Sequence, residues 1–240
     1  MIKQQRSQFE HLLVLDAGDS LIKDRTPATS SSGKSSIDAM NLMEYDAMAL
    51  GEGDLAQLGV KAIRQRMEEA SFPFLSANVY VTETGELLAQ PYLVQEMGGQ
   101  RVAIIGLTGM AQVPEIEIRD PLATVREIVD QVRPHADILI LLSHAGLETN
   151  RQIAREVPEI HVIISGGGQV LTSSPDALVD GPPVVHADVP SPGHAGRRIG
   201  LGVWSFDDGG MLVEQRWQNL ALTPEIADDQ AMLQWVYQNP

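Results

Sequence analysis

Two apolar segments of the chain end in side chains that can bind a metal ion. Asp19 closely follows the run at residues 11–16, and His144 follows the run at residues 137–142. Unbroken runs of Val, Ile and Leu are typical of strands buried on both faces, and open α/β sheets bind ligands at the carboxyl ends of their strands. We therefore expect Asp19 and His144 at one sheet edge, where they could bind a divalent cation. The structural alternatives are a turn cap for Asp19 and a core position for His144.

A second segment resembles a phosphate-binding loop but lacks its defining features. Gly33, Lys34 and Ser35 match the end of that motif, whereas Ala28 stands where the motif requires glycine, and no strand leads directly into the segment. We expect residues 26–36 to form a mobile polar linker that proteases cleave readily.

Two further clusters have a chemical and a structural interpretation. Gly167 and Gly168 lie in a glycine run whose backbone N–H groups could bind an anion, or could simply form a turn. His186, Asp188 and His194 could contribute to a metal site, although Pro190 and Pro192 favour an irregular loop there. The structural interpretation is favoured for both clusters.

Periodicity places these residues in an alternating α/β arrangement followed by antiparallel strands. Two more buried strands are predicted at residues 101–106 and 160–164. Helices are predicted at residues 37–43, 58–70, 121–132, 150–156 and 224–237. Later strands are predicted at residues 184–188, 198–204 and 211–217, with a hairpin turn at 207–210 between the last two.

The composition excludes several functional classes. The 240 residues include no cysteine and carry a net charge of −15, which excludes disulfides, thiolate metal sites and a cysteine nucleophile. A pI near 4.7 argues against binding nucleic acid by bulk electrostatics. The sequence contains neither a signal-peptide core nor the roughly 18 consecutive apolar residues of a membrane helix. We expect a soluble protein whose compartment the residues leave open.

The order of the motifs resembles the 5′-nucleotidase branch of the calcineurin-like metallophosphoesterases. Residues 13–20 (LVLDAGDS) resemble its Gly-Asp block, and residues 40–55 (MNLMEYDAMALGEGDL) are similar to its "N-x-x-x-Y-D-A-x-x-x-G-N-H-E-F" block. The match continues through its other motifs: FLSANV at 74–79, GQRVAIIGLT at 99–108, LSHAG at 142–146 and HVIISGGGQV at 161–170. The resemblance implies a four-layer α/β/β/α sandwich with mixed sheets, as a single domain over residues 1–240.

The resemblance also implies a set of site residues. Family members use two divalent metals to polarise a phosphate ester and generate the attacking hydroxide. By position, Asp19 matches the bridging aspartate, Glu52 replaces an asparagine ligand, and His144 matches the middle histidine ligand. Asp54 matches the acid that follows the "G-N-H-E" histidine, so Asp54 and His144 are the expected catalytic residues. Gly167 and Gly168 are the expected contacts to a phosphate-containing small molecule.

Several ligand positions depart from the family pattern. Gly53, Gly167 and Gln169 stand where the family has histidine, and its opening Asp-x-His block has no counterpart. We therefore expect a degenerate domain that lacks hydrolase activity and is retained for binding or assembly, with a divalent metal such as Mn or Zn, or none. The alternative is a metal-dependent phosphoesterase of nucleotides or related esters. A protein partner or second copy could complete the sheet beside residues 11–16. The resemblance implies a periplasmic or extracellular location, whereas the sequence as written predicts a cytoplasmic one.

Overall fold

The computed structural model describes residues 1–22, 26–167, 181–187, 198–207 and 209–239. Its helices are α1 (Ile2–Gln8), α2 (Lys34–Leu42), α3 (Glu52–Glu69), α4 (Pro121–Val132), α5 (Leu147–Glu156) and α6 (Gln230–Gln238). Its strands are β1 (Leu15–Asp16), β2 (Ala47–Ala49), β3 (Phe74–Leu75), β4 (Val79–Val81), β5 (Tyr92–Met97), β6 (Gln100–Leu107), β7 (Ile116–Ile118), β8 (Ile138–Ser143), β9 (Val162–Ser165), β10 (Val184–Val185), β11 (Arg198–Phe206) and β12 (Leu212–Ala221).

Two sheets form the centre of the fold. The first sheet has the parallel order β1-β2-β3, and the second has the order β10-β9-β8-β6-β5, in which only β5 is antiparallel to its neighbour. The sheets pack face to face through small and branched side chains, including Ala47, Ala49 and Leu75 of the first sheet and Ile104 and Leu142 of the second. The small residues on the first sheet allow this close approach.

Helices cover the outer face of each sheet. The apolar side chains of α2 and α3, including Ile37 and Ile63, pack on the first sheet around Phe74. Those of α4 and α5, including Val129 and Ile153, pack on the second sheet. The layers therefore run α/β/β/α, which confirms the predicted fold class. In the described part of the chain, no helix is both long and apolar enough to cross a membrane.

Helix α4 has the predicted boundaries, and two residues at its N-terminus determine where it begins. Asp120 accepts a hydrogen bond from the backbone N–H of Ala123, and Pro121 occupies the first turn. The helices predicted at 37–43, 58–70 and 150–156 begin three to six residues earlier than predicted. Helix α3 is divided at Gly59, which adopts a non-helical φ of 71°, and the predicted helix corresponds to the part around and after this kink.

The prediction of an unpacked linker at residues 26–36 was wrong. Helix α2 already begins at Lys34, and the turns before it are closed by the buried guanidinium of Arg66. Its Nη1 donates to the carbonyls of Ser31 and Ser32, at 3.1 and 3.3 Å. The hydroxyl of Ser36 donates to the carbonyl of Leu21 at 2.7 Å. Part of the polar composition therefore serves hydrogen bonds to the protein, whereas Ser30 and Ser32 are exposed.

Candidate metal and phosphate site

The candidate site lies where strands of both sheets end. Asp19 and His144 were predicted at the edge of one sheet, which was wrong, because β1 and β8 belong to different sheets that pack face to face. His144 directly follows β8, and its backbone N–H donates to the carbonyl of Leu107 in β6 at 2.8 Å. Asp19 follows β1 and adopts a φ of 58°, which turns the chain sharply after the strand. Glu52 is the first residue of α3. Three different parts of the fold therefore each place one side chain at the candidate site.

The imidazole of His144 lies between two carboxylates. Its Nδ1 is 2.7 Å from Oε2 of Glu52, and its Nε2 is 3.5 Å from Oδ2 of Asp19. Burial opposes charge on both His144 and Glu52, but their hydrogen bond and mutual attraction prevail. The pKa of His144 is therefore raised, with Asp19 adding to the effect, and the pKa of Glu52 is lowered. A protonated His144 donates a hydrogen bond to Glu52, forms an ion pair with Asp19, and neutralises much of the charge of the two carboxylates.

The same three residues can bind one cation. Asp19, Glu52 and His144 each offer a ligand atom, and these atoms lie within 4.8 Å of one another. Carboxylate oxygen and imidazole nitrogen suit Zn²⁺ and Mn²⁺. A cation would have to displace the proton of His144, because an imidazole ligand must be neutral.

A glycine cradle, formed by Gly18, Gly51, Gly53, Gly166 and Gly167, surrounds these side chains. A Cβ atom on Gly51 would lie 2.1 Å from Oδ1 of Asp19, and one on Gly53 would lie 2.6 Å from its Oδ2. A Cβ on Gly166 would lie 2.8 Å from the His144 ring, and one on Gly167 3.2 Å from it. The carboxylate of Asp19 and the ring of His144 therefore occupy the space that larger side chains would need.

The side chain of Asp54 lies beneath the turn that carries Asp19. Its side chain is fully buried and accepts hydrogen bonds from the backbone N–H groups of Ser20, Leu21 and Ile22 at 3.1, 3.1 and 3.2 Å. Its own N–H donates to Oδ1 of Asp19 at 2.9 Å. Asp54 thus holds the turn that carries Asp19, and its expected catalytic role stays a prediction.

Burial and like charges act against the ionised form of Asp54. They raise its pKa to about 7, with burial the larger cause and the charge of Asp19 next, against hydrogen bonds from Ile22 and Leu21 that lower it. The two acids are therefore coupled through space as well as through the hydrogen bond between them.

A buried polar network that was not predicted from the sequence lies behind Glu52. The hydroxyl of Thr108 donates to the carbonyl of Leu50 at 2.8 Å and lies 2.8 Å from the hydroxyl of Ser76. The side chain of Asn78 donates to the carbonyl of Thr108 and accepts from its N–H. This network joins β6 to the segment that leads into Glu52. The signal was available as polar residues that interrupt or end otherwise apolar strands.

The remaining predicted site residues are only partly described. Gly167 forms a turn after β9 and lies beside His144, whereas Gly168 lies outside the described residues, so phosphate contact by this pair stays a prediction. His186 is buried at the end of β10, and Asp188 and His194 lie outside the described residues.

Comparison with known proteins places this arrangement in a defined class. No protein-family model matches the chain. A snake venom 5′-nucleotidase of Crotalus adamanteus is 28% identical over 255 residues, covering 95% of this chain and 43% of that protein. A probable 5′-nucleotidase of Treponema pallidum is 31% identical over 194 residues, covering 77% of this chain and 32% of that protein. The chain therefore spans less than half the length of these relatives.

The structural comparison agrees. The 5′-nucleotidase precursor of Thermus thermophilus superposes with a TM-score of 0.83 at 26% identity, covering 99% of this chain and 51% of that chain. The four-layer fold, with its carboxylate–histidine group at the strand ends, defines a calcineurin-like metallophosphoesterase. Within that superfamily, the chain belongs to the 5′-nucleotidase branch.

Proposed function

We propose that this domain binds at most one divalent cation together with a phosphate-containing small molecule, and does not hydrolyse phosphate esters by the two-metal mechanism. One observation carries the proposal. Gly53 and Gly167, which stand at two histidine positions of the family pattern, have no side-chain ligand atoms; Gly53 lies against the carboxylate of Asp19, and Gly167 lies against the ring of His144. The side chains of Asp19 and His144 therefore occupy the space that a second set of metal ligands would need.

The donor set supports one cation but not two. Asp19, Glu52 and His144 supply three ligands, whereas a divalent transition metal takes about four and a pair takes roughly twice as many. Solvent or a phosphate oxygen can complete a single coordination sphere. When bound, a cation would neutralise charge on the phosphate and polarise its oxygens. The further acid beside Asp19, Asp54, has oxygens that already accept backbone hydrogen bonds.

The competing proposal is an active phosphoesterase that uses Asp19, Glu52, Asp54 and His144 with one metal. Direct measurement separates the two. The chain is dialysed against Mn²⁺ and Zn²⁺, bound metal is counted, and turnover of p-nitrophenyl phosphate is measured beside Asp19→Ala. Our proposal expects no turnover above that of the variant. Turnover that depends on bound metal and is abolished by Asp19→Ala would establish the competing proposal.

We also propose that an additional strand, from a second copy or a partner protein, pairs with β1. Among the described residues, strand pairing of β1 is found with β2, and addition of a strand at a sheet edge is a common mode of protein association. Leu13, Leu15 and Ile164 are only partly buried between the sheets, as expected if another strand covers them. A concentration-dependent mass in sedimentation equilibrium would support a second copy, and a strictly monomeric chain would leave only a partner protein.

A further inference from the structure

A directed chain of buried hydrogen bonds connects the two strands that lie beneath the candidate site. The backbone N–H of Ala145 donates to the hydroxyl of Ser143 at 3.1 Å, and this hydroxyl donates to Oδ1 of Asn150 at 2.6 Å. Nδ2 of Asn150 donates to the hydroxyl of Ser165 at 2.8 Å, which in turn donates to the carbonyl of Gly166 at 3.3 Å. Every side chain in this relay is buried, and those of Ser143 and Asn150 are fully inaccessible.

The relay holds the backbone on both sides of His144. Ser143 and Ala145 are its immediate neighbours, and both belong to the relay. Gly166, at the other end, lies so close to the His144 ring that a Cβ there would be 2.8 Å from it. The orientation of the ring is thus set by two backbone segments, and Asn150 is the residue that joins them.

The position of Asn150 has no explanation in helix formation or core packing. It lies on the buried face of α5, where Ile153 and Ala154 occupy the positions three and four residues later. An apolar residue would pack better at such a place, since a buried amide is tolerated only when it is hydrogen-bonded. Asn150 accepts a hydrogen bond from the hydroxyl of Ser143 and donates one to the hydroxyl of Ser165.

We infer that Asn150 is a positioning residue for the cation ligand His144. The inference rests on the proposed function, because it assigns the residue a task in that site. Residues that orient a metal ligand from behind typically change metal affinity about 10- to 100-fold when they are replaced. We therefore expect Asn150→Leu, which removes both hydrogen bonds at similar volume, to weaken Zn²⁺ binding at least about tenfold.

Two variants separate positioning from general stability. Asn150→Asp keeps the acceptor for the hydroxyl of Ser143 but loses the donor to the hydroxyl of Ser165, so it should lose less Zn²⁺ affinity than Asn150→Leu. Asn41→Leu is the matched control, since it removes the bonds of a helical asparagine to Glu69 and Ser71 far from the site. This control should lower thermal stability and leave Zn²⁺ affinity unchanged. If Asn150→Leu does not fold, Ser143→Ala tests the relay instead, because it removes the link between the Ala145 amide and Asn150.

Zn²⁺ affinity is measured on the 240-residue chain by isothermal titration calorimetry, and the metal-free proteins are compared by NMR. In the metal-free form, Asn150→Leu should shift the ring resonances of His144 and accelerate exchange of the Ala145 amide, while the ring of His161 stays unchanged. A folded Asn150→Leu with wild-type affinity and unshifted His144 resonances would overturn the inference, as would an equal loss of affinity in Asn41→Leu. If the wild type binds no Zn²⁺, cation binding fails as a function, and the metal-free resonances alone decide whether Asn150 positions His144.

Discussion

Replacing Asp54 by asparagine should make the protein's stability less dependent on pH. Two effects compete at this carboxylate. Three backbone N–H donors favour its ionised form, whereas full burial and the neighbouring charge of Asp19 favour its protonated form. The second effect prevails, and the pKa is raised to about 7.

The sign of the effect follows from proton binding. Between the ordinary pKa of an aspartate and about 7, the folded chain retains a proton on Asp54 that the unfolded chain has lost, so stability falls as the pH rises. At about 1.4 kcal/mol per pH unit, the wild type loses roughly 2–3 kcal/mol from this group between pH 5 and pH 8. Asparagine cannot titrate, so the variant lacks this loss.

The assay is urea unfolding of wild type and Asp54→Asn between pH 5 and pH 8, in EDTA, followed by circular dichroism. The free energy of unfolding of the wild type minus that of the variant should decrease by roughly 2–3 kcal/mol across this range, with unchanged m values. His144 titrates in both proteins, so most of its contribution cancels. Asp137→Asn is the control, because Arg101 lowers the pKa of Asp137 to about 2. The difference in free energy of unfolding between wild type and this variant should therefore be constant between pH 5 and pH 8.

A difference for Asp54→Asn that stays constant, or that grows with pH, would refute the reasoning. Either result would mean that the three N–H donors keep Asp54 ionised throughout. An ionised, hydrogen-bonded Asp54 would then add a permanent negative charge beside Asp19, and the charge balance described for the site would need revision.

Three other changes have defined outcomes. Gly53→His should not restore p-nitrophenyl phosphate turnover, because its side chain must displace the carboxylate of Asp19; turnover well above wild type would contradict the ligand count. Arg66→Met should accelerate proteinase K cleavage within residues 26–33 about tenfold or more, since it removes two hydrogen bonds from a charged donor; equal cleavage of both proteins would contradict the packing described. Lowering the pH from about 4 to about 2 should reduce the stability difference between wild type and Asp137→Asn, because the carboxylate that Arg101 keeps ionised becomes about half protonated; a difference that does not change over this range would place the stabilisation elsewhere.

Patterns confined to one element were the most predictable part of the fold. The runs at 101–106, 137–142 and 160–164 became β6, β8 and β9 within two residues at each end, because strands covered by helices on one face and a sheet on the other are apolar throughout. The run at 11–16 forms a strand only at Leu15–Asp16. There the side chain of Asp46 accepts from the N–H of Val14 and replaces a ladder bond.

Patterns that depend on contacts distant in sequence were predicted less well. The final helix begins at Gln230 rather than 224, because Asp229 caps it by accepting from two backbone N–H groups. The convergence of Asp19, Glu52 and His144 could be expected from strand ends and motif order. The burial of Asp54 under residues 20–22 could not, because it depends on how the turn after β1 folds onto α3.

The number of cations that the chain binds distinguishes a single metal site from a pair of sites. The chain is dialysed to equilibrium against excess Mn²⁺ or Zn²⁺, and bound metal per chain is determined by mass spectrometry for wild type and Asp19→Ala. We predict at most one equivalent, lost in the variant, because three ligand atoms within 4.8 Å can share one ion. Two equivalents in the wild type, both removed by Asp19→Ala, would contradict the account.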